Sequence, residues 1–411
     1  RRPNIRAVNM QDDLGLKYTT SDAECIATFN QALTYYLASD ASTTRCLDEL
    51  LSKDPEMPMA LIFKAYLLKL AADPRLKVAI DQCVDTLSKR ESLNEREKLH
   101  REALKLWRDN QLEKAVQTFD SLILLYPKDM LAIRIAHYLH FYGEGGHAMI
   151  KSLAVVVRGW RKDEPFYGYL KGMECFALEE HGKYTEAESA GREALEINPS
   201  DIWAAHAVAH IMQMQDRFSE GVAFLNAFKA NWHDANNFVN HLHWHLALQY
   251  IGLEQTDEAL CIYDELLIKP IKDDFYLDIC NSASLLWRLN MLGVDVGTRW
   301  QYLQNISETR VEDDELVFST LHYLMAPAAL GDDQTISRCL SNMEKWSTRS
   351  ETQSIVCRNV GIPLAEAICK LSRGETETAA RQIASIQPEI FRIGGSHAQR
   401  HLFDQMIEHY L

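Results

Sequence analysis

Two pairs of histidines stand four residues apart in this sequence, His206 with His210 and His241 with His245. On a helix that spacing puts both imidazoles of a pair on one face. Imidazole titrates close to neutral pH, so such a set can act as general acid and base without large tuning. It can equally ligate a metal ion. Ten of the fifteen histidines fall between residues 137 and 245, so the pairs belong to a wider cluster. Ala207, Val208 and Ala209 separate the first pair, so the H-E-x-x-H helix of metalloproteases, with its built-in glutamate, is absent. Zinc would need further ligands from elsewhere in the chain. Three readings follow: packed histidines satisfied by neighbouring helices, a metal-free polar pocket in which the four are catalytic, or a divalent metal bound by the same four. No cofactor is expected on the metal-free reading.

A second candidate lies near the end of the chain. Gly394-Gly395-Ser396-His397-Ala398-Gln399-Arg400 precedes the apolar residues Leu402, Phe403 and Met406. Ser396 and Gln399 have the S-x-x-Q spacing of a capping box. A helix N-terminus beside an arginine can seat a carboxylate or a phosphate. The plainer reading is a capped terminal helix. Ser396, His397, Gln399 and Arg400 are thus candidate substrate-binding residues. Lys171 reads as a surface lysine or as a ligand contact. Asp278 and Arg288, ten residues apart, read as an intramolecular ion pair. No G-x-S-x-G, phosphate-binding loop, dinucleotide fingerprint or calcium loop is present. Cys175 and Cys261 have no adjacent base to activate a thiol.

Charge and cysteine usage narrow the class. Lys and Arg total 43 against 58 Asp and Glu, a net charge of −15 with neutral histidine. Non-specific nucleic-acid or anionic-membrane binding needs basic surface, so neither partner is expected. The nine cysteines are odd in number and contain no C-x-x-C pair. That argues against a disulfide or thiolate-zinc framework and for a reducing, cytoplasmic setting. No apolar run reaches the length of a membrane helix. Arg1-Arg2-Pro3-Asn4 lacks a hydrophobic signal core.

The elements that must position these residues are legible in the prolines. Pro55, Pro127, Pro199 and Pro270 are separated by 72, 72 and 71 residues, and Ala60, Ala132 and Ala204 share the 72-residue period. That is close to twice the tetratricopeptide unit of about 34 residues. Between them run helical hairpins. Tyr169 to Pro199 has Gly182-Lys183-Tyr184 at its turn, and His241 to Pro270 carries Gly252, Ala259 and Tyr263. Leu99 to Pro127 and Ala365 to Pro388 are further units. Proline ends each hairpin because it cannot continue the helical hydrogen-bond ladder. Strand signals are almost absent, and the apolar run Leu153 to Val157 sits in a helical context. The acidic stretch at 306–315 reads as a solvated loop or helix start. The expected fold is all-α: a tetratricopeptide-like α-solenoid of about twenty helices, open or curled into a ring, forming one continuous domain over 1–411.

Short segments in order also resemble a known family. They include Glu95-Arg96-Glu97-Lys98-Leu99-His100, Asp129-Met130-Leu131-Ala132, Tyr169-Leu170-Lys171-Gly172 and Val208-Ala209-His210-Ile211. Leu277-Asp278, Gly293-Val294, Val296-Gly297 with Arg299-Trp300, and Gly394-Gly395-Ser396 with Ala398-Gln399-Arg400 follow. Together they resemble the tetratricopeptide repeat protein 38 family over nearly the whole chain. His401 stands where that family often has Asp. The resemblance implies an all-helical repeat fold and carries no reaction with it.

Repeat register puts His206, His210, His241 and Trp244 at groove-facing positions on first helices, and His137 on the corresponding helix one period earlier. His137, Tyr138, Lys171, Trp203 and Trp244 complete the candidate substrate-binding set. Peptide-carboxylate adaptors line their grooves with Lys, Arg and Asn; imidazoles and aromatics suit a smaller, less charged ligand, and the expected ligand is a small molecule, a short peptide or another short anionic ligand. Ligand binding in this pocket leads, with catalysis left open. A hydrolase or lyase using the histidines, and a protein–protein scaffold, are the alternatives. Homo-oligomerisation is left open.

Overall fold

The structure, a computed structural model, describes residues 7–411; Arg1-Arg2-Pro3-Asn4 lies outside them. The described chain is all-α apart from one antiparallel strand pair, Ala7–Gln11 with Lys17–Thr20. That pair is absent from the expectations above because its turn carries no Asn-Gly signal. The Asp12 carboxylate instead accepts from the backbone N–H groups of Leu14 and Leu16, and Gly15 takes φ +78°. This is a three-residue hairpin loop closed by a left-handed glycine.

The chain divides into two compact units. One is formed by the chain up to Val208 with Asn231–Asn236, the other by Ala209–Ala230 with Asn237–Leu411. The N-terminal unit consists of successive helical hairpins: Ala23–Leu37 with Thr43–Lys53, Pro58–Leu70 with Lys77–Ser88, and Glu95–Arg108 with Leu112–Leu125. Met130–Phe141 with Gly146–Val157 and Tyr167–Glu180 with Tyr184–Ile197 complete it. The apolar run Leu153–Val157 is helical, within Gly146–Val157. In the C-terminal unit Phe238–Gly252 pairs with Thr256–Ile262, Tyr276–Met291 with Arg299–Ser307, and Val317–Leu330 with Asp333–Ser347. Ile362–Ser372 pairs with Thr376–Ile386, and His397–Tyr410 is the last helix. The unit division falls inside the helix Ile202–Met214. This is a tetratricopeptide-like helical-hairpin fold.

A backbone device repeats with the hairpins. Nearly every turn between paired helices holds at least one residue at positive φ, among them Ser39, Ala72, Asn110, Gly145, Gly182, Glu254, Gly293, Gly331 and Gly374. A left-handed residue just past a helix end satisfies its last carbonyls and reverses the chain. In the hairpin ending at Pro270 that residue is Glu254; Gly252 is the last residue of its helix, and a Cβ there would meet the Phe218 ring at 2.6 Å. Local sequence also sets helix starts. Glu95–Arg108 opens on a capping box between Asn94 and Glu97 and ends with Lys105 and Arg108, complementing the helix dipole at both ends. The stretch at 306–315 is the end of the helix Arg299–Ser307 and the turn after it, and it is not wholly solvated. Arg310 within it is buried, bonded to Asp274 at 2.9 Å and Asp313 at 2.6 Å. All nine cysteines are unpaired thiols, Cys261 alone being exposed.

Candidate functional site

In the C-terminal unit three of the predicted imidazoles converge. His241 and His245 are one turn apart on Phe238–Gly252, and His210 comes from the end of Ile202–Met214 that belongs to this unit. All three are buried. The rings of His210 and His245 are 4.2 Å apart between centroids, those of His241 and His245 4.6 Å. His241 stacks on Trp244 at 5.1 Å.

Two side-chain amides orient the cluster. The Nδ1–H of His241 donates to Asn281 Oδ1 at 2.8 Å, and the Nδ1–H of His245 to Gln213 Oε1 at 2.9 Å. The Nε2 atoms of the two rings then face each other at 3.1 Å. Burial pushes His241 down to about 4 and drives His210 well below its ordinary value, with His241 and His397 adding to the effect on His210. These two rings are therefore neutral at pH 7, good hydrogen-bond and metal-ligand groups but poor reservoirs of positive charge.

Beside this cluster is a cavity of about 480 Å³ lined by Gln213, Met214, Leu248, Arg288, Met291 and Gln405, with exposed Asp216 and Glu408 also on its wall. Gln213 touches both, so one amide separates the cavity from His245. Arg288 is buried, yet among the described residues no carboxylate lies within ion-pair distance of it. Its Nε donates to Ser284 Oγ at 3.2 Å, and its Nη2 to the backbone oxygens of Ala398 at 2.8 Å and Gln399 at 3.5 Å. Its Nη1 makes none of these bonds. The guanidinium lies over Trp244, 5.5 Å from the ring centroid. Burial pushes it down to about 9.

The expected Asp278–Arg288 ion pair does not form. Both residues lie on the single helix Tyr276–Met291, and ten residues of helix separate them by about 15 Å. Asp278 instead accepts from Asn237 Nδ2 at 2.8 Å and Asn240 Nδ2 at 3.0 Å. Burial raises it to about 6, with Asp273 adding to the rise against those two bonds.

The terminal corner is a capped helix. Ser396 N–H donates to Gln399 Oε1 at 2.8 Å, and Gln399 N–H to Ser396 Oγ at 3.1 Å. Arg400 folds back to the Gly395 carbonyl and reaches His397 Nδ1 at 3.5 Å. Gly395 is required there, since its φ is +82° and a Cβ would meet Phe318 at 2.8 Å.

The other candidates belong to the N-terminal unit. His206 packs between Phe176 and Trp203, with ring centroids at 5.3 and 5.0 Å. His137 meets the same two rings edge-on, and neither of its nitrogens has a hydrogen-bond partner. Burial, with the Arg134 charge, holds His137 well below its ordinary value. Arg134 lies over Trp203 at 4.9 Å. Tyr138 packs on Trp107 and Tyr142. Lys171 is held by Glu174 at 3.1 Å and Glu193 at 3.6 Å. Sequence reasoning missed Gln213, Asn281 and the isolation of Arg288. Asn281 lies 40 residues from the ring it supports, beyond any local pattern.

No family model matches the chain. Among solved structures it is similar to the crystal structure of the P58(IPK) TPR domain. The identity is 12% over 85% of this chain and 89% of that one, with a TM-score of 0.23. It is also similar to a chain of the Naa15/Naa10 assembly bound to HypK-THB, at 12% identity and a TM-score of 0.22. That match covers 90% of this chain and 64% of the other. Among the described residues no helix is long and apolar enough to cross a membrane.

Proposed function

We propose that this protein binds a small molecule bearing a carboxylate or phosphate, with the anionic group on Arg288 and the body of the ligand in the adjoining cavity. One observation carries this: a buried guanidinium without a carboxylate, on the wall of a cavity of about 480 Å³. A buried charge is ordinarily paired, so such a cation is a natural seat for a ligand's anion. Met214, Leu248 and Met291 would cover apolar parts of the ligand. The imidazoles one amide away supply acid/base groups if the bound molecule is also turned over. The order of the short motifs supports a resemblance to the tetratricopeptide repeat protein 38 family.

Thermal melting against a panel of small carboxylates and phosphates tests the reading. Some members should raise Tm in the wild type and leave Arg288→Met unmoved. A panel without effect, or a response that survives Arg288→Met, rejects it.

A second reading is docking of a protein partner, which repeat arrays support through their extended surfaces. Leu124, Leu125, Val155 and Ile197 favour it: they are exposed on the second helices of three successive hairpins in the N-terminal unit. A partner captured by wild type and lost with the double variant Leu124→Glu and Leu125→Glu supports docking. An unchanged captured set rejects it.

A further inference from the structure

We propose that His210, His241 and His245 form a site for a divalent transition-metal ion of the zinc class. The inference is independent of the anion reading: it uses three side chains that the cavity wall does not contain.

Geometry is the first support. One nitrogen from each ring lies within 4.8 Å of those of the other two, and the Nε2 atoms of His241 and His245 are 3.1 Å apart. Zinc–imidazole bonds are about 2.0–2.1 Å, so two ligands at a tetrahedral angle have nitrogens about 3.3–3.4 Å apart. The observed pair stands within a few tenths of an ångström of that spacing.

The supporting groups are the second. A metal-ligating histidine characteristically donates its other ring N–H to an oxygen that fixes tautomer and orientation. Asn281 Oδ1 and Gln213 Oε1 do this for His241 and His245, one amide to each ring. With both protons on Nδ1, both Nε2 atoms carry lone pairs, and these point at one another. A shared proton or a shared cation relieves that repulsion. A metal ion takes the lone pairs of neutral imidazole directly.

Donor type sets the ion. Imidazole suits zinc, copper, nickel or iron, whereas magnesium and calcium demand oxygen ligands. Zinc takes such imidazole donors in tetrahedral sites.

The test uses the full chain, purified without a histidine tag, stripped with chelator and desalted. Titration with Zn²⁺ should show one tight equivalent per chain, and Co²⁺ should give the visible bands of a tetrahedral site. X-ray absorption of the wild-type zinc protein should show imidazole ligands at about 2.0 Å. Sulfur scattering at about 2.3 Å, or no stoichiometric binding, overturns the proposal. His241→Ala and His245→Ala should each abolish the cobalt bands. In case those variants fail to fold, Asn281→Leu, which keeps the ligands, should weaken affinity about 10- to 100-fold. Unchanged affinity in Asn281→Leu, or cobalt bands that survive His245→Ala in a folded protein, also overturns it. Zinc binding that persists in Arg288→Met, beside a lost anion response, separates this site from the anion seat.

Discussion

Two buried polar clusters, one in each unit, are held in opposite ways. In the N-terminal unit Asp129 accepts from Arg96 Nη1 at 2.9 Å, from His100 Nε2–H at 2.7 Å and from the Ala132 N–H at 3.0 Å. Tyr66 OH and His100 Nδ1 lie 2.7 Å apart, and Arg96 also reaches the Lys17 carbonyl at 2.7 Å. Burial alone would raise the Asp129 carboxyl. The His100 and Arg96 charges outweigh it and hold the group well below the usual carboxylate range. In the C-terminal unit Arg288 has no acid and the imidazoles face one another. The first cluster closes on itself and acts as structure. The second leaves a buried guanidinium without a carboxylate, and that difference is what supports the proposed sites.

The largest expected effect tests the closed cluster. Asp129→Ala leaves Arg96 buried without its counter-ion and should cost about 3–5 kcal/mol in urea unfolding. A loss under ~1 kcal/mol would mean that the cluster is not a closed unit.

Acid titration sharpens the same point. A carboxylate with a depressed folded pKa adds stability that is fully present above its unfolded value, near 4, and lost as pH falls through the folded one. The stability difference between wild type and Asp129→Asn should therefore be constant from pH 7 to about 5 and shrink at lower pH. A difference that grows towards acid contradicts the assignment.

Ser396→Ala should cost about 1 kcal/mol through loss of the helix cap. It should leave any anion response intact, because the hydroxyl is engaged by Gln399 N–H. A selective loss of response with unchanged stability would return the anion seat to that corner.

The smallest stability effect belongs to Arg288. Arg288→Met removes an uncompensated charge, so unfolding should shift by less than ~1 kcal/mol while the anion response disappears. A loss as large as that of Asp129→Ala would make the two clusters equivalent and erase the contrast.

Much of the fold was legible along the chain because its signals are local. Pro127 and Pro199 follow the second helices of their hairpins, Gly182 and Gly374 take the left-handed turn, and Ser396 with Gln399 caps the last helix. The strand pair Ala7–Gln11 with Lys17–Thr20 escaped because an aspartate, not Asn-Gly, shapes its turn. His210, His241 and His245 could be singled out by spacing on helix faces. Their supports could not, since Gln213 and Asn281 lie 32 and 40 residues away from the rings they hold. Asp278 and Arg288 show the opposite error: opposite charges near in sequence suggested a pair that a straight helix keeps apart.

By itself, then, the sequence determined the helices, their turns and the histidine-bearing faces, because capping, periodicity and glycine or proline geometry act over a few residues. Only the tertiary structure decided that Asn281 and Gln213 turn two imidazoles of one helix towards each other and that Arg288 is left without an acid. Both depend on which distant helices pack together, and burial converts that packing into charge state by removing the water that would otherwise level every side chain.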